Sequence, residues 1–242
     1  MPVQIGVTPG SQAEQVGRLF LAAIVVIFLP ALPFGNYVIY PFTILTTWYH
    51  EMGHGLAAMM LGYNFEQLVI YPSGSGVALS SYAGDPGNVR AALMAAGGPL
   101  APAVAGSALI VASAKEHWWR PALYILAGLI GVSAVIWVRS FVGLTILPLL
   151  ALALVFLARK GNRTVLRFGL QFLGVLGALS MFQQWDYLFM ERAVIGGQPM
   201  LSDTGAIEAN LFLPHWFWAI AIILIAGAMI GTSLKYALSD RT

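Results

Sequence analysis

Residues 37–62 read as one apolar helix interrupted by three ionisable side chains, His50, Glu51 and His54. The pattern is H-E-x-x-H. Residues four apart share one face of a helix, so the two imidazoles can offer nitrogens to a single metal ion. Glu51 lies about 100° round the same helix, where it can hold a metal-bound water without being a ligand itself. As ordinary core residues the three would be costly in an apolar span, where charge is expensive unless something binds it. A cation removes that cost. A catalytic zinc site takes three protein ligands and keeps one position open, so a further carboxylate or histidine is required.

The remainder of the chain explains the apolar setting. Apolar residues make up 59% and charged residues 9%, against about 25% charged in ordinary soluble domains. Several runs exceed the roughly 20 residues that cross a bilayer. The expected fold is an all-α polytopic membrane protein of about six to seven transmembrane helices, forming one domain over 1–242. Its core covers about 37–234, after a polar N-terminal tail over 1–16. Spans are expected near 17–34, 37–62, 89–112, 118–138, 141–158, 165–188 and 213–234. The tail has neither a basic leader nor a small-residue cleavage site, so the first span is expected to be retained and not a signal peptide. A net charge of +2 is too small to argue for nucleic acid, and no basic aromatic patch supports it. The absence of cysteine excludes disulfides and thiolate ligands.

After the histidines the character changes. Residues 68–71 and 77–82 read as strands joined by the turn Pro72-Ser73-Gly74-Ser75-Gly76, a β-hairpin over about 66–83. It is either a surface loop between helices or an exposed strand edge that holds an extended peptide by β-augmentation.

Two late aspartates compete for the third ligand position. With seven spans, both Asp186 and Asp203 fall on the histidine side, and His117 falls on the opposite one. Asp186 ends an apolar helix among Trp185, Tyr187 and Phe189, where a lone carboxylate is costly, and this argument favours it. Asp203 lies in Ser202-Asp203-Thr204-Gly205, which also reads as the cap of a short helix. His117 and His215 sit among tryptophans and read as interfacial.

With these residues in view, the chain resembles the site-2 protease family of intramembrane zinc metallopeptidases, on its smaller bacterial branch. The resemblance rests on His50-Glu51-Met52-Gly53-His54-Gly55 and on the Gly74-Ser75-Gly76-Val77 hairpin. Ala96-Gly97-Gly98-Pro99, Arg139-Ser140-Phe141 and Ser202-Asp203 follow in the family's order. It implies one Zn2+ held by His50 and His54, Glu51 as general base, and a late aspartate as third ligand, leaning to Asp203. Neither aspartate has the Asn-Pro-x-Asp-Gly or Leu-Asp-Gly context of better-known relatives, and Pro102 stands where an asparagine often follows the Gly-Pro. The resemblance places substrate beside Gly74, Gly76 and Val77 of the hairpin and beside Gly98 and Pro99. It further implies a multi-pass protein of the bacterial inner membrane. Its substrates would be membrane-spanning proteins, with an oligomer or larger membrane complex as a possible setting. The alternative is a catalytically silent scaffold or assembly subunit with the same fold. A metal transporter fits poorly, because residues 89–158 carry few ionisable groups to line a path.

Sidedness gives two conflicting expectations. On the alternation of seven spans, Arg18, Arg90, Arg139 and Arg192 share the histidine side and eight basic residues take the other, including the cluster from Arg159 to Arg167. The positive-inside rule then makes the second side cytoplasmic, whereas the resemblance sets the zinc nearer the cytoplasm.

Overall fold

Helix α2 (Gly35–Met60), which carries the histidines, is the axis on which the other elements are placed. The computed structural model describes residues 12–239; the first eleven residues of the expected polar tail lie outside it. Helix α1 (Gln12–Phe28) precedes α2. Helices α3 (Asn88–Ser113), α4 (Glu116–Ile136), α5 (Phe141–Lys160), α6 (Arg163–Gln183) and α9 (His215–Leu238) complete the long set. Six stretches are long and apolar enough to cross a membrane, starting at Gln12, Asn88, Glu116, Phe141, Arg163 and His215. The protein is a mostly helical integral membrane protein. Helix α2 is as long as α3, but Thr46, Thr47, His50, Glu51 and His54 dilute its apolar content.

Helices α2 and α3 cross with almost no side chain between them. A Cβ on Gly53 or on Gly97 would run into the carbonyl oxygen of the other. Small residues permit such backbone approach where van der Waals packing holds membrane helices together.

The hairpin is present, formed by β1 (Asn64–Ile70) and β2 (Gly76–Ser81) in antiparallel register with Ile70 opposite Gly76. Strand β1 begins earlier than expected. Its Phe65 ring lies where a Cβ on Gly55 would stand, and the turn lies 15 residues back along α2, where the Tyr40 hydroxyl donates to the Pro72 carbonyl at 2.8 Å. That separation is about 22 Å of helix. Leu68 and Ile70 are fully buried, so this is no surface loop. The outer edge of β1 is already occupied: Leu68 N–H donates to Trp137 O, Arg139 N–H to Leu68 O and Ile70 N–H to Ser140 Oγ, at 2.8, 2.9 and 3.0 Å. The α4–α5 junction therefore closes one side of the hairpin. Strand β2 has no strand partner on its other edge among the described residues.

Two expectations about the late chain need correction. The sixth span breaks at Gln184, whose backbone (φ −103°, ψ 29°) leaves the helix before the short α7 (Trp185–Phe189). The segment 191–210, read as polar with a short helix capped near Ser202, also contains a second hairpin, β3 (Arg192–Ile195) and β4 (Gln198–Leu201), ahead of that helix, α8 (Asp203–Asn210). The hairpin signal was Gly196-Gly197, both at positive φ, as a two-residue turn of the tightest type requires.

Sidedness also changes. Gln12 Nε2 donates to the Leu238 carbonyl at 2.8 Å, so the start of α1 and the end of α9 lie together. Seven complete alternating crossings would set them on opposite faces. Arg18 lies within electrostatic range of Arg167 and so joins the basic cluster instead of the histidine side.

Candidate functional site

The two histidines meet an aspartate from the far end of the chain. His50 Nε2 and His54 Nε2 are 3.1 Å apart. Asp203 Oδ2 lies 3.0 Å from the first and Asp203 Oδ1 3.2 Å from the second. Donor atoms of all three residues fall within 4.8 Å of one another, a group that could hold a metal ion. Ligand bonds of about 2.0–2.2 Å around a tetrahedral zinc set the ligand atoms about 3.3 Å apart. The observed spacings fit that figure.

Local chemistry supports the fit. His54 Nδ1 lies 2.8 Å from the Met94 carbonyl, which accepts only if Nδ1 carries the proton, so a neutral His54 would turn its Nε2 lone pair to the cluster. Such a carbonyl behind a histidine is the usual companion of metal ligation. Asp203 is buried, and its Oδ2, though close to His50, makes no aligned hydrogen bond. Burial alone would raise the Asp203 carboxyl, but His54 and His50 beside it outweigh burial and hold it below the usual carboxylate range. Gly98 leaves the room: a Cβ there would collide with His54 Nε2 and stand 2.7 Å from His50 Nε2.

Glu51 is buried at 6% exposure. It lies against β2 and is not one of the three clustered donors. A Cβ on Gly76 would lie 2.7 Å from Glu51 Cγ and 2.9 Å from its Oε1, so only glycine lets the strand pass this close. The backbone of Ala78, two residues along β2, also bears on the carboxylate. Gly74 forms the turn at φ +90°, where its carbonyl accepts from the Thr47 hydroxyl. Val77 pairs with Val69. Pro99 and His50 line a cavity of about 10 Å³, near the size of one water. The large apolar groove of about 770 Å³ lies elsewhere, between α2, α3 and α4.

Asp203 is fixed by its neighbours. Ser202 Oγ accepts from Gly205 N–H at 3.0 Å and donates to the Met190 carbonyl, while Thr204 Oγ1 donates to Leu188 O at 2.8 Å. Ser202 is the cap, which leaves the Asp203 side chain to face the histidines. Farther along α8, the backbone N–H of His215 and then its ring hold the Glu208 carboxyl below the usual range, latching α8 to α9. Asp186, which burial cost had favoured, is exposed on α7 and is not in the cluster. The break at Gln184 turns α7 so that Tyr187, the next residue, faces the site. Its ring centroid lies 6.3 Å from that of His50. Sequence reasoning found the right turn of chain and missed this residue, because a tyrosine there also reads as interfacial. His117 packs beside Trp118 and His215 pairs with Glu208 at 2.6 Å; both stand outside the cluster.

No curated protein and no solved structure matches the chain. A family model described as Peptidase M50B-like matches residues 19–233, from within α1 to within α9, and so takes in His50, Glu51, His54 and Asp203. The chain belongs to the Peptidase M50B-like family, the site-2 protease family of membrane metallopeptidases.

Proposed function

We propose that this protein is a zinc-dependent intramembrane endopeptidase that cleaves membrane-spanning proteins, in the bacterial inner membrane. The observation that carries the reading is the convergence of His50, His54 and Asp203 at 3.0–3.2 Å with Glu51 buried alongside. These three residues would hold one Zn2+. When bound, zinc supplies a Lewis acid that polarises a scissile carbonyl and lowers the pKa of water from 15.7 to about 7.

The chain's own groups do the rest. Glu51 takes the proton from the attacking water and returns it to the leaving amine. A helical substrate hides its carbonyls in internal hydrogen bonds, so it must be held extended. The unpaired edge of β2 offers backbone donors and acceptors for that purpose. Gly76 brings this edge against Glu51, and Gly74 and Val77 shape the same strand. Gly98 keeps the space at the histidines clear, and Pro99 lines the wall beside His50.

The test is Glu51→Gln, purified beside wild type, with zinc content and cleavage of a co-expressed single-span protein measured together. One zinc per chain in both proteins and cleavage only by wild type is the expected result. Equal cleavage by the variant would exclude Glu51 as base. Zinc in both with cleavage in neither would favour the silent scaffold.

A further inference from the structure

Helix α4 packs chiefly against α5 and stands off from α2, leaving the apolar groove of about 770 Å³ between α2, α3 and α4. Two hydrogen bonds fix the gap. Trp48 Nε1 donates to Ser133 Oγ at 2.8 Å, and Trp119 Nε1 donates to the Ser113 carbonyl at 2.9 Å. The volume lies within the range of about 300–1,000 Å³ usual for ligand sites. On α2 the wall is Trp48, Met52 and Leu56, about 200° round the helix from His50 and His54, so the groove is separate from the metal site. Its polar groups are already spent or hidden: Trp48 and Ser133 satisfy each other, and the Tyr49 hydroxyl is buried in the wall, closed off from the groove. The body of an occupant must therefore be apolar.

One end differs. The stripe of α4 that lines the groove runs Trp118, Ala122, Ile125, Leu129 and Val132, in alternating steps of four and three, and Lys115 extends it by one more step. Trp118 is half-exposed there, with His117 beside it. Lys115 is exposed and has no ion pair among the described residues, whereas Arg163 is held by Glu116 and Arg120 donates to the carbonyls of Ala158 and Arg159. An apolar slot with an uncommitted ammonium and an interfacial indole at its rim complements an acyl chain that ends in a phosphate. A membrane-spanning helix about 30 Å long and about 10 Å across has a volume of roughly 2,400 Å³, three times that of the groove, and cannot enter it.

We propose that this groove binds an anionic phospholipid, with acyl chain between α2, α3 and α4 and phosphate at Lys115 beside Trp118. The site is independent of the zinc reading. To test it, the full chain in detergent is titrated with phosphatidylglycerol and with phosphatidylcholine of the same chains, and the first bound lipid is read by native mass spectrometry. The proteins are wild type, Lys115→Gln, Ala108→Trp and Lys160→Gln. Ala108 is an exposed residue of the groove wall, and Lys160 is an exposed cation at the end of α5, outside the groove. Wild type should prefer the anionic lipid. Lys115→Gln should weaken that lipid about five-fold and leave phosphatidylcholine unchanged, Ala108→Trp should lose the first binding event for both, and Lys160→Gln should match wild type. An equal loss in Lys160→Gln, or no preference for the anionic lipid in wild type, would reduce the effect to general surface charge and overturn the proposal. Unchanged binding in Ala108→Trp would overturn it as well. A small diazirine side chain in place of Ala108, photolysed in native membranes, decides the case in which Ala108→Trp fails to fold. An anionic phospholipid adduct is expected; adducts only to zwitterionic lipid, or to another protein chain, would overturn the assignment.

Discussion

Replacing Gly98 with alanine places a single methyl group where the two imidazoles converge. The new Cβ would stand 2.7 Å from His50 Nε2, about 0.7 Å short of ordinary contact at 3.4 Å, and closer still to His54 Nε2. Backing α3 away would give up the close packing of Gly97 against the α2 backbone at Gly53. The rings must therefore move, by several times the ~0.2 Å that ligand distances tolerate. We expect zinc affinity to fall at least about 100-fold, close to 2.7 kcal/mol. Metal-free stability should change much less. Alanine in a helix interior is favoured over glycine by up to about 1 kcal/mol, which offsets part of an overpacking cost of about 1–3 kcal/mol. Thermal unfolding in detergent, with and without zinc, separates these effects: wild type should be strongly stabilised by zinc and Gly98→Ala hardly at all. An equal zinc-dependent rise in both would refute the premise that the ion sits between these imidazoles.

Two other outcomes follow from the geometry. Asp203→Ala should lose zinc by more than the ~100-fold typical of outer-shell changes, and Asp186→Ala should bind it normally; chelator competition on both reads the result, and the reverse order would return the third ligand to α7. The positive-inside rule, with Arg18 now beside Arg167, expects the face bearing Arg159, Lys160 and Arg163 to be cytoplasmic. Because the chain has no cysteine, single substitutions report topology cleanly. In intact cells a membrane-impermeant maleimide should label Gln198→Cys but reach Asn162→Cys only after permeabilisation.

The sequence by itself determined the membrane class, the helical fold, the first hairpin and the pairing of His50 with His54, because each depends on local chemistry. Apolar run length decides what can cross a bilayer, and a four-residue spacing decides what shares a helix face. The placing of Glu51 on the same helix as the pair was legible for the same reason. What lay beyond it required contacts between residues far apart in the chain. Burial cost favoured Asp186 over Asp203, because it ends an apolar helix, and only the break at Gln184 and the Ser202 cap decide which one faces α2. Tyr187 gained its place through that same break. Gly76 and Gly98 read as turn and packing glycines, and by resemblance as neighbours of substrate, until the fold set one against Glu51 and the other against the histidines. Sidedness failed similarly, because alternation assumes that every apolar helix completes a crossing, and the meeting of Gln12 with Leu238 is a tertiary fact with no local signature.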